Sequence, residues 1–270
     1  MPPYPGLLAS LLLIGLGLVA AILSLVAGAA LSIPPTPLIL GSSLAGTGSA
    51  LAVGLLCARL PWRTALGAGP HPGRGWLPLA PLLLGAVVLV SEVENLVRMV
   101  LPPPASFLES MQQILAPAGA LERSLAFLAA GLMAPLVEEL LFRGLMLRGL
   151  VSRHGPRAGI VFSAALFAAY HLYPWQAAPA LALGCLFGWV ALRSGRIGYA
   201  VALHVGNNLL ALSLANFAPG LPGLSPQSSD PAHVPPLALA LGAGLLVLGI
   251  RSFSRAFPGP ARAPVAAGAP

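Results

Sequence analysis

Residues 124–147 read SLAFLAAGLMAPLVEELLFRGLML, and this stretch decides the fold. It is longer than the roughly 20 apolar residues that an α-helix needs to cross a bilayer. It nevertheless contains two adjacent carboxylates, Glu138 and Glu139, and the guanidinium of Arg143. Ionisable side chains at membrane depth are costly, so their presence there indicates a functional site. The stretch therefore predicts a membrane-spanning helix that carries chemistry.

The composition of the whole chain indicates the same class of protein. Of its 270 residues, 57% are hydrophobic and only 8% are charged, whereas a soluble domain carries about 25% charged residues. Such a chain cannot cover a folded surface with solvated side chains. A soluble globular protein, a disordered chain and a coiled coil are therefore excluded, and we expect an all-α integral membrane protein.

Other apolar runs of similar length are separated by segments rich in glycine and proline. Eight candidate spans result, two of them short: 7–31, 38–58, 77–93, 124–147, 158–173, 177–192, 197–217 and 235–250. We therefore expect a polytopic transmembrane helix bundle of about eight spans. An amphipathic helix on the outer surface is expected within 94–122.

The distribution of arginine predicts how the bundle is oriented. All 14 basic residues are arginines. On this division of the chain, 11 of them lie on one side of the membrane, Arg98 and Arg123 lie on the other, and Arg143 lies within a span. The positive-inside rule then places both termini in the cytoplasm. The arginines stand singly at span ends without interleaved aromatic residues, so no nucleic-acid partner is expected despite the net charge of +7.

Two further motifs place polar side chains inside predicted spans, and all three lie in the second half of the chain. Phe167-Ala-Ala-Tyr-His171 ends the fifth span, and His204-Val-Gly-Asn-Asn208 lies on the seventh. In the first motif, Glu139 and Arg143 are four residues apart and can pair on one helix face. Glu138 is turned by about 100° and can face a cavity.

These side chains allow two mechanisms that the residues alone do not separate. Glu138 and His171 can hold a water that attacks an amide carbonyl, while His204 and Asn208 donate to the oxyanion. Alternatively, Glu138, His171 and His204 can bind Zn²⁺ with water in the open position. A serine dyad and an aspartyl dyad are excluded, because the chain has no G-x-S-G motif and its only aspartate is Asp230, in a loop.

A depth estimate from the helical rise of 1.5 Å per residue supports only part of this convergence. Measured along the helix from the arginine at the span end, Glu138 lies ~15 Å from Arg148 and His204 lies ~12 Å from Arg196, so these two residues have similar depths in the membrane. His171 lies ~21 Å from Arg157, which is too far out unless the fifth span starts deeper or tilts.

The three motifs, in this order, resemble the CPBP family, which contains the type II CAAX prenyl proteases and the bacteriocin-processing or immunity (Abi) proteins. Its pattern is EExxxR, FxxxH and HxxxN, and every position matches here over about residues 121–216. The resemblance implies an eight-helix bundle. It also implies Glu138 as the catalytic base, His171 on the water, His204 and Asn208 at the oxyanion site, and supporting roles for Glu139, Arg143 and Phe167.

The resemblance also divides the chain and suggests its function. Residues 1–120 are expected to supply N-terminal helices and the outer-surface segment, 121–217 the catalytic core, and 218–270 the last span and a loose cytoplasmic tail. The expected function is an intramembrane endopeptidase in the bacterial plasma membrane. It would act near the cytoplasmic leaflet on a membrane-bound or lipidated protein or peptide. The alternatives are a non-catalytic immunity or scaffold protein of the same family and, less favoured, a proton-coupled transporter.

Overall fold

The structure is a computed structural model that describes residues 4–58, 63, 66, 71–224 and 231–258. The predicted loop around Asp230 and most of the predicted cytoplasmic tail lie outside these residues. The described part is all-helical, which confirms the predicted fold class.

Eight helices follow one another along the described chain. They are α1 (Leu7–Ala30), α2 (Pro35–Ala58), α3 (Leu79–Val100), α4 (Ala105–Leu115), α5 (Ala120–Tyr170), α6 (Pro174–Ser194), α7 (Ile197–Phe217) and α8 (Pro236–Ala256). All except α4 are long and apolar enough to cross a membrane, which gives seven candidate spans in the part of the chain described. The polytopic bundle is therefore confirmed.

Helix α5 contains two of the predicted spans, because it bends back on itself at Gly155. There the backbone has φ 80° and ψ 170°, a region that glycine adopts without a Cβ clash. The second arm, 156–170, then packs against the first: Ser163 Oγ donates to the carbonyl of Phe142 at 3.0 Å. This arm has only about 22 Å of helical rise, less than the ~30 Å hydrocarbon core. It is therefore the short pass that the sequence indicated.

The described ends of the chain lie at the same end of the bundle, which we call the arginine end. The N-terminal segment lies against the Gly155 bend, since a Cβ on Gly6 would be 3.0 Å from Nε of Arg153. At the other terminus, Nε of Arg193 donates to the carbonyl of Phe257 at 2.7 Å, next to the end of α6. The described ends of the chain therefore lie at one end of the bundle. That both termini lie in the cytoplasm stays a prediction.

Helix α4 lies at the opposite end and has the amphipathic pattern expected for residues 94–122. Its apolar face meets the beginning of α6: the ring centroid of Phe107 lies 4.9 Å from that of Tyr173, just before α6, and 4.7 Å from that of Trp175, in the first turn of α6. Asn216 on α7 donates to the carbonyl of Leu115 at 2.7 Å. Glu109 points away from the bundle and is exposed. Helix α4 thus covers the end of the bundle farthest from the arginines.

Candidate functional site

The four residues predicted to be catalytic border one cavity. It has a volume of about 230 Å³ and lies between α3, α5, α6 and α7, with Glu138, His171, His204 and Asn208 all in its lining. An adjoining void of about 240 Å³ under α4 shares His171 and Asn208 with it. The structure thus brings together side chains that are up to 70 positions apart in the sequence.

The Gly155 bend explains why His171 reaches the depth of Glu138. Measured from this bend, Glu138 lies about 25 Å along the first arm of α5 and His171 about 24 Å along the second. The predicted mismatch in depth was wrong because it compared each residue with a different arginine, Arg148 or Arg157, rather than with the bend that the two arms share.

The Glu139 carboxylate is the centre of a buried polar cluster. Its Oε1 accepts a hydrogen bond from Nη1 of Arg143 at 2.7 Å and another from Nδ1 of His204 at 2.9 Å. All three residues are almost fully buried, with exposed fractions of 0%, 2% and 4% for Glu139, Arg143 and His204. Glu139 is therefore held in place by the guanidinium and in turn orients the imidazole.

Aromatic rings surround the Arg143 guanidinium on the side away from Glu139. Its Cζ lies 4.3 Å from the ring centroid of Phe167 and 5.5 Å from that of Phe187. A cation over an aromatic face is stabilised by the ring quadrupole, and more strongly when water is excluded. Phe167 therefore supports the site by covering the cation that holds Glu139.

Both histidines have their Nδ1 engaged and their Nε2 left for the cavity. Nδ1 of His171 donates to the carbonyl of Phe167 at 2.9 Å, because a carbonyl oxygen can only accept. Nδ1 of His204 donates in the same way to the Glu139 carboxylate. Fixing one ring nitrogen sets the tautomer and the orientation of the other.

Glu138 is turned from Glu139 into the cavity. Its side chain is 12% exposed, and its Oε2 lies 3.7 Å from Nε2 of His204. The two adjacent glutamates thus have different environments: one is locked by a cation, and the other borders open space. That separation is what a general base beside a structural ion pair requires.

Asn208 is oriented by two neighbours. Its Nδ2 donates to the carbonyl of Ala130 at 2.9 Å, and its Oδ1 accepts from Nδ2 of Asn207 at 3.3 Å. Ala130 lies in a π-helical turn of α5, Phe127–Met133, and such turns are frequent at functional sites. One N–H of the Asn208 amide remains for a group in the cavity.

Helix α3 lines one side of the cavity, which the sequence analysis did not predict. Ser91, Glu94 and Asn95 line the cavity opposite Glu138, and Asn95 also donates to the carbonyl of Gly223 at 2.8 Å, which fixes the loop after α7. The polar residues of an otherwise apolar helix recur here every three or four positions, through Arg98. This helical period was the available signal, but none of the three motifs includes these residues.

Two loop histidines to which sequence analysis assigned no role make structural contacts. Nε2 of His71 accepts from the backbone N–H of Gly198 at 3.1 Å, in the first turn of α7. Burial, and to a smaller extent the nearby Arg196, lower the pKa of His71 from 6.5, so the ring stays neutral and able to accept. His233 donates through Nδ1 to Oε1 of Glu92 at 2.6 Å and ties the segment before α8 to α3.

The side chains do not form a ready zinc site. Among the residues that the structure describes, no three His, Cys, Asp or Glu side chains converge closely enough to hold a metal ion. Glu138 and His204 are near each other, but His171 does not complete a three-ligand set with them. We therefore derive no step through a metal.

The fold and the site together define a polytopic helical membrane protein with a carboxylate, two imidazoles and a carboxamide around one internal cavity. In the comparison with protein families, residues 120–210 match the model described as type II CAAX prenyl endopeptidase Rce1-like. The match supports the family resemblance that the three motifs carry. It covers the segment that carries them, about a third of the chain. No curated protein and no solved structure matches the chain. The family match and the helical membrane bundle indicate an intramembrane protease of the CAAX type.

Proposed function

We propose that this protein is an intramembrane endopeptidase that hydrolyses a peptide bond of a membrane-associated protein or peptide. The observation that carries the proposal is the shared cavity, in which Glu138, His171, His204 and Asn208 converge from α5 and α7. Each of these groups has the chemistry that one step of amide hydrolysis requires.

The first step is attack by water. A water between the Glu138 carboxylate and Nε2 of His171 loses a proton to Glu138 as its oxygen bonds to the carbonyl carbon. The carbonyl oxygen becomes an oxyanion. Glu138 then returns the proton to the leaving nitrogen as the carbon–nitrogen bond breaks. The products are a carboxylic acid and an amine, without a covalent enzyme intermediate.

The second requirement is stabilisation of the oxyanion. The free N–H of Asn208 and a proton on Nε2 of His204 are the two donors available on α7. Since Nδ1 of His204 already donates to Glu139, the ring must carry a second proton to donate from Nε2. The Glu139 carboxylate holds the ring through Nδ1, as the aspartate of a serine-protease triad holds its histidine.

The supporting residues determine the precision of the site. Glu139 orients His204, Arg143 fixes Glu139, and Phe167 covers Arg143 while its carbonyl orients His171. One buried network therefore aligns both imidazoles. Catalytic groups must be held within about 0.5 Å of their working positions, and burial of the whole network meets that need.

The experiment is a cleavage assay with purified protein in lipid nanodiscs. A library of peptides, with and without a lipid anchor, is incubated with wild type and with Glu138→Gln, and the products are read by mass spectrometry. Wild type is expected to cleave a subset of the peptides, and Glu138→Gln is expected to lose about 10²–10⁴ in rate, since it keeps the shape but removes the base.

The matched control is Glu109→Gln, the same change on the exposed face of α4. It is expected to cleave like wild type. Equal cleavage by wild type and Glu138→Gln would refute the assigned base. If no peptide is cleaved by any variant, the immunity or scaffold alternative becomes the better description.

A further inference from the structure

The described charges are separated between the two ends of the bundle. Nine arginines lie at the arginine end or in the loops beside it: Arg63, Arg74, Arg148, Arg153, Arg157, Arg193, Arg196, Arg251 and Arg255. The opposite end has only Arg98 and Arg123, together with four glutamates, Glu92, Glu94, Glu109 and Glu122. No described acidic residue lies at the arginine end. Such an asymmetry in arginine is the feature that fixes orientation in a membrane, with the arginine-rich side in the cytoplasm.

The cavity lies in the half of the bundle away from the arginines. Its lining comes from the later part of α3, the first half of α6 and the later part of α7, and it extends to Gly223 and Leu224 in the loop after α7. The adjoining void continues beneath α4, where Phe107 and Met111 line it. Both spaces thus reach the end that carries α4.

Packed side chains close the cavity toward the arginine end. Between the cavity and that end lies a dense cluster that includes Phe187, Tyr199, Leu203, Phe253 and Phe257, all at most 8% exposed. Interiors packed in this way leave few voids as large as a water molecule. Among the described residues, this packing leaves a peptide no path to Glu138 from the arginine end.

From these observations we infer that the cavity opens on the extracytoplasmic side of the membrane, and that its substrate is a peptide segment exposed on that side. This differs from the expectation of action near the cytoplasmic leaflet, which the family resemblance suggested. The direction of the opening is independent of catalysis, whereas the nature of the substrate rests on the proposed function.

Cysteine accessibility tests the direction of the opening. The native thiols, Cys57 and Cys185, are free and are first replaced by alanine. Three serines are then changed singly to cysteine: Ser91→Cys in the cavity, Ser106→Cys on exposed α4, and Ser152→Cys at the exposed surface beside the Gly155 bend. Each full-length variant is expressed in bacterial cells and treated with a charged, membrane-impermeant methanethiosulfonate reagent.

The mass shift of each variant shows whether its cysteine has reacted with the reagent. In intact cells, the Ser106→Cys and Ser91→Cys variants are expected to be modified. The Ser152→Cys variant is expected to show no shift until the cells are permeabilised. Modification of the Ser152→Cys variant in intact cells, or protection of the Ser106→Cys variant until permeabilisation, would overturn the inferred orientation. Protection of the Ser91→Cys variant alone would show that the cavity does not open beside α4, which also overturns it.

A second measurement separates this inference from the proposed function. Right-side-out and inside-out vesicles are mixed with a soluble peptide that the purified enzyme cleaves. Cleavage by right-side-out vesicles only is expected, and cleavage by inside-out vesicles only would refute the inferred substrate side. If purified protein cleaves no peptide at all, the proposed function fails, while the labelling result still decides the direction of the opening.

Discussion

Removal of one member of the buried Glu139–Arg143 pair tests the energetics of the site. The pair has N–O contact at 2.7 Å with both side chains 0% exposed. Arg143→Met keeps the volume of the aliphatic stem against Phe167 but removes the cation. The Glu139 carboxylate is then left buried with His204 as its remaining partner. Breaking a buried ion pair on one side typically costs 3–5 kcal/mol, because the remaining charge is uncompensated.

We expect Arg143→Met to destabilise the protein by about 3 kcal/mol, the lower end of that range, since His204 still donates to Glu139. Glu139→Gln is expected to cost about 5 kcal/mol, because Nε and Nη2 of Arg143 make no hydrogen bond to a described residue. The double variant should cost less than the sum, with a coupling energy of about 1–3 kcal/mol.

The assay is chemical unfolding in detergent micelles, followed by circular dichroism, at neutral pH. Arg157→Met, the same change at an exposed position, is the matched control and should lie within about 0.5 kcal/mol of wild type. If Arg143→Met were as stable as Arg157→Met, or if the two single effects simply added, the pair would not be the buried, coupled unit described here.

Three further outcomes follow from the site and its surroundings. Asn208→Ala should lower kcat about 10²–10³-fold with little change in KM, as expected for loss of an oxyanion donor, whereas Asn207→Ala should lose far less; steady-state kinetics on a cleaved peptide distinguishes them. Lowering the pH from 8 to 5 should destabilise wild type more than His71→Asn. Burial lowers the pKa of His71 from 6.5, so the stability that the neutral ring contributes is complete above about that pH and is lost as the pH falls through the lower folded pKa. Thermal unfolding at each pH measures this, and an equal pH dependence of the two proteins would show that the contact of His71 with Gly198 contributes no stability. Incubation with a chelator, followed by dialysis, should leave peptide cleavage unchanged, and activity that is lost and then restored by zinc would contradict the metal-free mechanism.

Much of the architecture could be predicted from the sequence, because the membrane restricts what an apolar chain can form. In a bilayer, each spanning segment must satisfy its own backbone hydrogen bonds, so long apolar runs become helices. The run around His204 therefore predicted α7 with its observed bounds, and the runs around Glu138 and His171 predicted the two arms of α5. The i, i+4 spacing of Glu139 and Arg143 likewise predicted their ion pair, because it depends only on local helical geometry.

The contacts between helices could not be predicted in the same way. Which face of one helix meets which face of another depends on tilt, rotation and small-residue packing, and none of these is fixed by hydropathy. The contact of His204 with Glu139 is of this kind: it joins α7 to α5, and the sequence offered no reason to prefer Glu139 to Glu138. The depth of His171 was predicted wrongly for a related reason. Both arms of α5 begin at the tight bend at Gly155, so the depths of Glu138 and His171 must be measured from that bend.

The contribution of α3 was overlooked although its pattern was visible. Ser91, Glu94 and Asn95 share a face by helical spacing, but they belong to none of the three motifs. The motifs contain the proposed reacting groups but not the α3 residues that line the other side of the cavity. The loop after α7, which Asn95 fixes through Gly223, is part of the same boundary.

The claim that Glu138 and His171 act together on one water is tested most directly by a double-mutant cycle on kcat/KM for peptide cleavage. Residues that act as a unit give strongly non-additive losses, because removal of either one disables the step. We expect Glu138→Gln, His171→Gln and the double variant to lose activity to nearly the same extent. If the losses in the single variants multiply in the double variant, the two side chains act independently and the shared-water mechanism is wrong.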